Sequence, residues 1–261
     1  MRRELAGVHA VWLREFTVFK RERSRMISAV AQPLMWIFLF GGGVGGSVAR
    51  EGAASGPNYQ QYIFPGILMM SALFSSLFYG LYVVWDKKID VLKEVLVSPV
   101  SRTAIFFGKV LGGCTDVLIQ ATMLLGIGYF ILGRPGPGYF PEAACALGVV
   151  FLAAVGTVSI GLALGSLFDS MEGFQVVSTF ISFPLFFLSG ALFPLDAALR
   201  RAKPVLYFAA RLDPVTYSVD ALRALLLHAG LFGFASDVAI LGAFAAAAVS
   251  VGGFAFNRMK L

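Results

Sequence analysis

Long apolar runs, bounded by charged or turn-forming positions, set the pattern of the chain. They fall at residues 26–49, 62–85, 106–132, 143–168, 173–195 and 238–257. Each is about 20 residues or longer, enough for a helix rising ~1.5 Å per residue to cross ~30 Å of hydrocarbon. The runs are apolar all round. A barrel strand would instead alternate apolar and polar positions over about ten residues. The pattern therefore predicts six transmembrane helices, with both termini on one side.

Three segments do not fit a simple span. In residues 1–25, Leu5, Val8, Trp12, Phe16 and Phe19 share one face of a helical wheel, with Arg3, Arg14, Thr17 and Arg21 opposite. This spacing predicts an amphipathic helix in the membrane interface, its basic face toward lipid headgroups. After the second run, Ile89, Leu92, Val95 and Leu96 repeat at helical spacing among Asp86, Lys87, Asp90, Lys93 and Glu94, until Pro99 ends the pattern. A short amphipathic helix and a plain connection both fit this stretch. The connection 196–237 follows Pro194 and is too apolar for an ordinary polar loop. Within it, Asp213-Pro214 predicts an N-cap with Pro at the first helical position. Val215, Val219, Leu222 and Leu226 then line one face, and Gly230 marks the stop. Asp220 and Arg223 are spaced to pair. A re-entrant helix and an ordinary cap both satisfy these features.

Composition sharpens the class. Hydrophobic residues make up 58% of 261 and charged residues 14%, with a mean hydropathy of +0.79. Soluble domains hold about 25% charged residues; this chain is an integral membrane protein. The net charge of +6 reflects topology rather than nucleic acid. Of the 21 Lys and Arg residues, 14 fall on the side of the N-terminus and of the segment after the second run. That side is expected to be cytoplasmic. No cleavable signal is expected, because the first apolar run begins after residue 25.

Little in the chain points to catalysis. Gly108-Lys109 is followed by Val110 and lacks the remainder of a phosphate-binding loop. Neither GxSxG nor HExxH is present, and no His/Cys/Asp/Glu spacing suits a metal or cofactor. Cys114 and Cys145 read as small buried residues. Gly108/Gly112 and Gly161/Gly165 are GxxxG pairs that let helices approach closely. Asp116 is the carboxylate within a span; an interfacial position, a polar cavity and a proton relay all fit it.

Residues 85–109, WDKKIDVLKEVLVSPVSRTAIFFGK, resemble the cytoplasmic connection of ABC-2 type transporter permeases, most closely the drug-export and polysaccharide or nodulation-factor export branch. The family run reads like WDREFGFLKEMLVAPVSR, so Ile89-Asp90-Val91 stands where Phe-Gly-Phe is usual. FPLFFLSGALFPLD at 183–196, DPVTYSVDALR at 213–223 (Asp213 for the usual Asn) and SLFDSMEGFQ at 166–175 are similar to further family blocks.

The resemblance implies an all-α permease subunit of the bacterial cytoplasmic (inner) membrane, both termini cytoplasmic. It has an interfacial helix at 1–25, a six-span domain at 26–257 and a cytoplasmic tail at 258–261. It implies a coupling segment at 86–102, with Ile89, Leu92, Lys93, Glu94, Leu96, Pro99 and Arg102 meeting cytoplasmic ABC ATPase subunits. It also implies a re-entrant exit gate within 196–237, with Pro194, Pro214, Tyr217, Asp220 and Arg223, and a second permease copy as partner. The expected role is ATP-driven export of a hydrophobic or amphiphilic compound: a drug, a lipid or a lipid-linked glycan. A membrane-embedded scaffold or immunity protein is the alternative.

Overall fold

The computed structural model describes residues 2–43, 59–89, 100–133, 136–195 and 197–259. The regular elements among them are all helices: α1 (Arg2–Arg21), α2 (Arg23–Gly43), α3 (Tyr59–Phe78), α4 (Leu81–Lys88), α5 (Arg102–Ile131), α6 (Tyr139–Leu167), α7 (Met171–Leu188), α8 (Ala197–Ala202), α9 (Pro204–Leu212), α10 (Pro214–Leu226) and α11 (Phe234–Asn257). Among the described residues, five units are long and apolar enough to cross a bilayer: Tyr59–Lys88, which joins α3 and α4, then α5, α6, α7 and α11. The first expected span corresponds to a shorter apolar helix, Ile27–Gly43; residues 44–49 of that window lie outside the described residues.

Local chemistry sets several boundaries. Ser101 caps α5 by accepting from Ala104 N at 3.1 Å, and Ser170 caps α7 by accepting from Gly173 N at 3.0 Å. Asp213 caps α10 through Val215 N at 2.9 Å, with Pro214 at its first turn, as the sequence predicts. The fifth span ends sooner than expected. Its helix stops at Leu188 rather than running to residue 195, because Gly190 takes a left-handed turn (φ 70°) six residues from α7's internal Pro184. The chain has thus turned before Pro194, which is exposed.

Helix α6 is central and packs on α3, α5, α10 and α11. The GxxxG pair Gly161/Gly165 lets it meet the break between α3 and α4. A methyl on Gly161 would sit 2.6 Å from Leu77 O, and one on Gly165 would collide with Gly80 O. The pair Gly108/Gly112 seats α1: a methyl there would meet Val11 and Glu15. Both motifs are therefore spent on packing within one chain. Cys114 is buried as expected, whereas Cys145 is exposed on the outer face of α6; an apolar run fully surrounding a helix does not say which side faces neighbours.

The bundle has two ends. Toward one lie α1, the ends of α4 and α5 that flank residues 90–99 in sequence, and the C-terminal ends of α6 and α11. Toward the other lie the start of α3, the turn after α7, α10 and the start of α11. Tyr59 donates to Leu192 O at 3.2 Å and Gln61 to Leu132 O at 3.1 Å there.

Candidate functional site: a buried charge junction and an aromatic cavity

The expected coupling helix falls mostly outside the described residues: Leu92, Lys93, Glu94, Leu96 and Pro99 belong to 90–99. Its two flanks are described, and both are tied down. Upstream, the Lys87 ammonium donates to Ser166 O at 2.8 Å and Phe168 O at 3.1 Å. It therefore neutralises the carbonyl end of α6. Ile89, the last described residue of this flank, is half exposed. Downstream, Ser101 donates to Glu4 of α1. Arg102 donates to Asn257 O at 2.9 Å and Met259 O at 3.1 Å, at the carbonyl end of α11.

Behind these flanks sits a charge cluster. Lys109 of α5 is 1% exposed. Its Nζ donates to Glu15 Oε1 of α1 at 2.9 Å and to Asp86 Oδ2 of α4 at 2.7 Å. Arg14 Nη2 reaches Asp86 Oδ1 at 3.0 Å, and the Tyr79 hydroxyl donates to Glu15 Oε2 at 3.0 Å. Two cations and two carboxylates therefore close a neutral network that joins α1, α4 and α5. An unpaired ion at such a depth would cost several kcal/mol. Burial opposes Arg14's charge, but its hydrogen bond to Asp86 and the charges of Asp86 and Glu15 leave its pKa raised.

This arrangement corrects part of the expected orientation of α1. Phe19 is buried and Arg3, Thr17 and Arg21 are exposed, as expected, but Arg14 turns toward Asp86 instead of outward to headgroups, Glu15 is buried, and Leu5 of the expected apolar face is exposed. The wheel ranked faces by hydropathy. It could not register that α5 and α4 offer Lys109 and Asp86 as partners.

Beside the junction, α2, α3, α4 and α7 line a half-open cavity of about 750 Å³. Trp36, Phe74, Phe78, Tyr82, Trp85, Phe183, Phe186 and Phe187 make most of its wall, with Ser28, Gln32, Ser71, Ser75 and Gln120 supplying polar groups. Gln120 reaches in from α5. Its Nε2 donates to Ala29 O at 2.6 Å and to Ser71 Oγ, while Ser75 donates to its Oε1 at 2.6 Å. The contact with Ala29 has a local cause. Pro33 lies four residues on and has no N–H, so the Ala29 carbonyl loses its helical donor. A side-chain amide from another helix replaces it.

At the opposite end, α10 is the short buried helix expected from residues 214–226. Val215, Val219, Leu222 and Leu226 are all buried. Tyr217 donates to Arg211 O at 2.7 Å. Asp220 and Arg223 serve different partners rather than simply bridging each other. Asp220 accepts from Leu231 N and Phe232 N at 2.9 Å, and Arg223 donates to Gly190 O at 2.8 Å and Ala191 O at 3.0 Å. The guanidinium also lies 4.0 Å from the Tyr62 ring centre. A hydrogen-bonded turn offers bare backbone groups at this depth, and these outcompete an i, i+3 ion pair. Asp116 is buried within α5 rather than set at a wet surface.

Sequence reasoning located Asp213, Pro214, Tyr217 and Arg223 in one structural unit. It missed Glu15, Asp86 and Lys109 as a cluster, and Gln120 and Tyr62 altogether. A Lys at the start of a long apolar run was the one local signal for the cluster. Among the described residues, no group of three or more His, Cys, Asp or Glu could hold a metal ion.

Comparison with known proteins gives a consistent picture. A family model described as "ABC-2 type transporter" matches residues 7–227. The chain is 29% identical over 216 residues to "Putative transport permease ycf38" of Cyanophora paradoxa, covering 82% of this chain and 72% of that one. It is 26% identical over 222 residues to "Nodulation protein J" of Rhizobium leguminosarum bv. trifolii, covering 84% and 80%. It is 26% identical over 230 residues to "Nodulation protein J" of Rhizobium meliloti (strain 1021), covering 85% and 84%.

Proposed function

Because the chain belongs to the ABC-2 type transporter family, as its membrane-embedded, non-catalytic permease subunit, we propose that it couples ATP hydrolysis by separate cytoplasmic subunits to export of a hydrophobic or amphiphilic compound. In this reading α2 is part of a sixth span, both termini are cytoplasmic, and α1 lies in the membrane interface. The segment around Ile89, Leu92, Lys93, Glu94, Leu96, Pro99 and Arg102 rests on an ATPase.

The observation that carries the reading is the junction at Lys109. A push on residues 90–99 enters a base that is bonded to α1, α5, α6 and α11 at once, through Asp86, Lys87, Ser101 and Arg102. Such a base moves several helices together instead of bending one loop. The aromatic cavity between α2, α3 and α7 suits a large apolar body, and its amide and hydroxyl groups suit a polar head. On the same reading α10, with Pro194, Pro214, Tyr217, Asp220 and Arg223, is a re-entrant helix that closes the exit on the extracytoplasmic side. The exposed Val176 and Phe180 on α7 support pairing with a second permease copy.

The test is reconstitution of the permease with its ATPase in vesicles. Leu92→Pro, or Lys93→Glu combined with Glu94→Lys, is expected to leave insertion and ATP hydrolysis intact while transport stops. Unchanged transport in both variants counts against the coupling assignment. ATP-dependent movement of no compound by the native pair would favour a scaffold or immunity role.

A further inference from the structure

Asp237 stands in the first turn of α11 with no solvent exposure. Among the described residues, no N–H or O–H donor reaches either of its carboxyl oxygens. The side chain that acts on it most closely is Asp220 of α10, the helix packed against α11. Two carboxylates cannot hydrogen-bond to each other; one must keep its proton and donate. The bond inventory says which. Asp220 already accepts from Leu231 N and Phe232 N, each at 2.9 Å, and Arg223 three residues along α10 adds a favourable positive charge. Both Asp220 oxygens thus accept hydrogen bonds, whereas Asp237 has no donor among the described residues and is the carboxyl placed to keep the proton.

We infer that Asp237 and Asp220 form a binding site for a single proton, carried by Asp237 and donated to Asp220, which fastens α10 to α11. Release of the proton to solvent leaves two like charges in contact at a buried site, so the α10–α11 contact weakens as pH rises. Arg223 holds the turn at Gly190 and Ala191, and the strain passes from α10 to the end of α7. Among the described residues, the other titratable and charged groups at this end include Asp213, Tyr217 and Arg223 on α10, Arg211 on α9, which lies 5.4 Å from the Phe232 ring centre, Glu142 and Tyr139 on α6, Tyr59 and Tyr62 on α3, Tyr129 on α5, and His228, which lies 3.6 Å from Glu142. The inference does not depend on α10 being an exit gate.

The test uses the full chain purified in nanodiscs, as native protein, Asp237→Asn and Asp220→Asn. In Asp237→Asn the new amide can donate to Asp220 at any pH. In Asp220→Asn the new amide can donate to Asp237 and let it ionise. Native-minus-variant infrared difference spectra at neutral pH are expected to show a protonated-carboxyl C=O stretch for both variants, the shared contribution of Asp213 cancelling in the difference. Between about pH 5 and about pH 9, native Tm should fall relative to Asp237→Asn by about 3–5 °C for each tenfold difference in proton affinity between folded and unfolded chain. Asp213, Glu142 and His228 are common to both proteins and cancel in that difference. Parallel pH profiles with no protonated-carboxyl band would overturn the proposal. So would stabilisation by added sodium or calcium that requires both carboxylates, which would make the site a cation site.

Discussion

Replacing Lys109 with Met tests whether the buried charge junction holds the bundle together. Met has a similar length and fills the same space, so the change removes charge rather than volume. What remains is Glu15 with a hydroxyl donor from Tyr79, and Asp86 with the partly exposed Arg14. Lys109 makes two charge-assisted bonds, at 2.9 and 2.7 Å, from a site that is 1% exposed. Such bonds contribute about 1.5–3 kcal/mol each, and breaking a buried pair by removing one member costs about 3–5 kcal/mol. The two routes agree, so a loss near ~4 kcal/mol is expected. At about 2–4 °C per kcal/mol for a chain of this size, Tm should fall by roughly 8–16 °C in a detergent unfolding assay. Neutralising the partners as well, as Lys109→Met with Glu15→Gln and Asp86→Asn, should recover most of that loss, because the charge then left unpaired, Arg14, is partly exposed and can turn to water. Transport in the triple variant should nevertheless drop, since α1 and α4 are no longer bonded through α5. A single variant that melts within ~1 °C of the native protein would refute the reasoning, and so would a triple variant no more stable than the single one.

Three further outcomes follow from particular contacts. Gln120→Met should leave the Ala29 carbonyl without a donor beside Pro33 and cost about 1–3 kcal/mol; the same substitution in a Pro33→Ala background should cost less in a double-mutant cycle of unfolding. Gly161→Leu should destabilise by about 1–3 kcal/mol or more, because the added Cβ meets backbone oxygens of Leu77 and Ser76 at 2.6 and 2.8 Å that cannot move aside; lower yield and lower Tm are the readouts. Burial pushes the Asp213 carboxyl up to about 7, against the opposing bond from Val215 N. A folded-state pKa raised above the ordinary carboxylate range means stability is lost as pH rises from about 4 toward 7. Asp213→Asn keeps the cap oxygen without the charge, so its Tm should exceed the native value at pH 8 and converge with it at low pH.

The apolar pattern alone determined that this is a helical membrane protein, because no soluble core could hide so much apolar surface and the backbone must satisfy its own hydrogen bonds in lipid. It also located most span boundaries within a few residues, and the Asp213-Pro214 start of α10, since caps and prolines act through neighbours in sequence. The family blocks at 85–109, 166–175 and 183–223 added what periodicity cannot give, the partnership with an ATPase. Tertiary structure decided which charges meet. Glu15, Asp86 and Lys109 lie up to 94 positions apart in sequence, and each alone resembles an ordinary interfacial residue. It decided where Arg14 and Glu15 of α1 point as well, since hydropathy ranks the sides of a helix but does not know that a neighbouring helix offers buried ions. The same holds for Gln120, whose importance rests on a carbonyl orphaned by a proline far earlier in the chain. The pairing of Asp237 with Asp220 likewise exists only once α10 folds back against α11. Local physics fixes what a helix is and where it begins; the meeting of distant polar groups in a medium without water fixes what those helices can do.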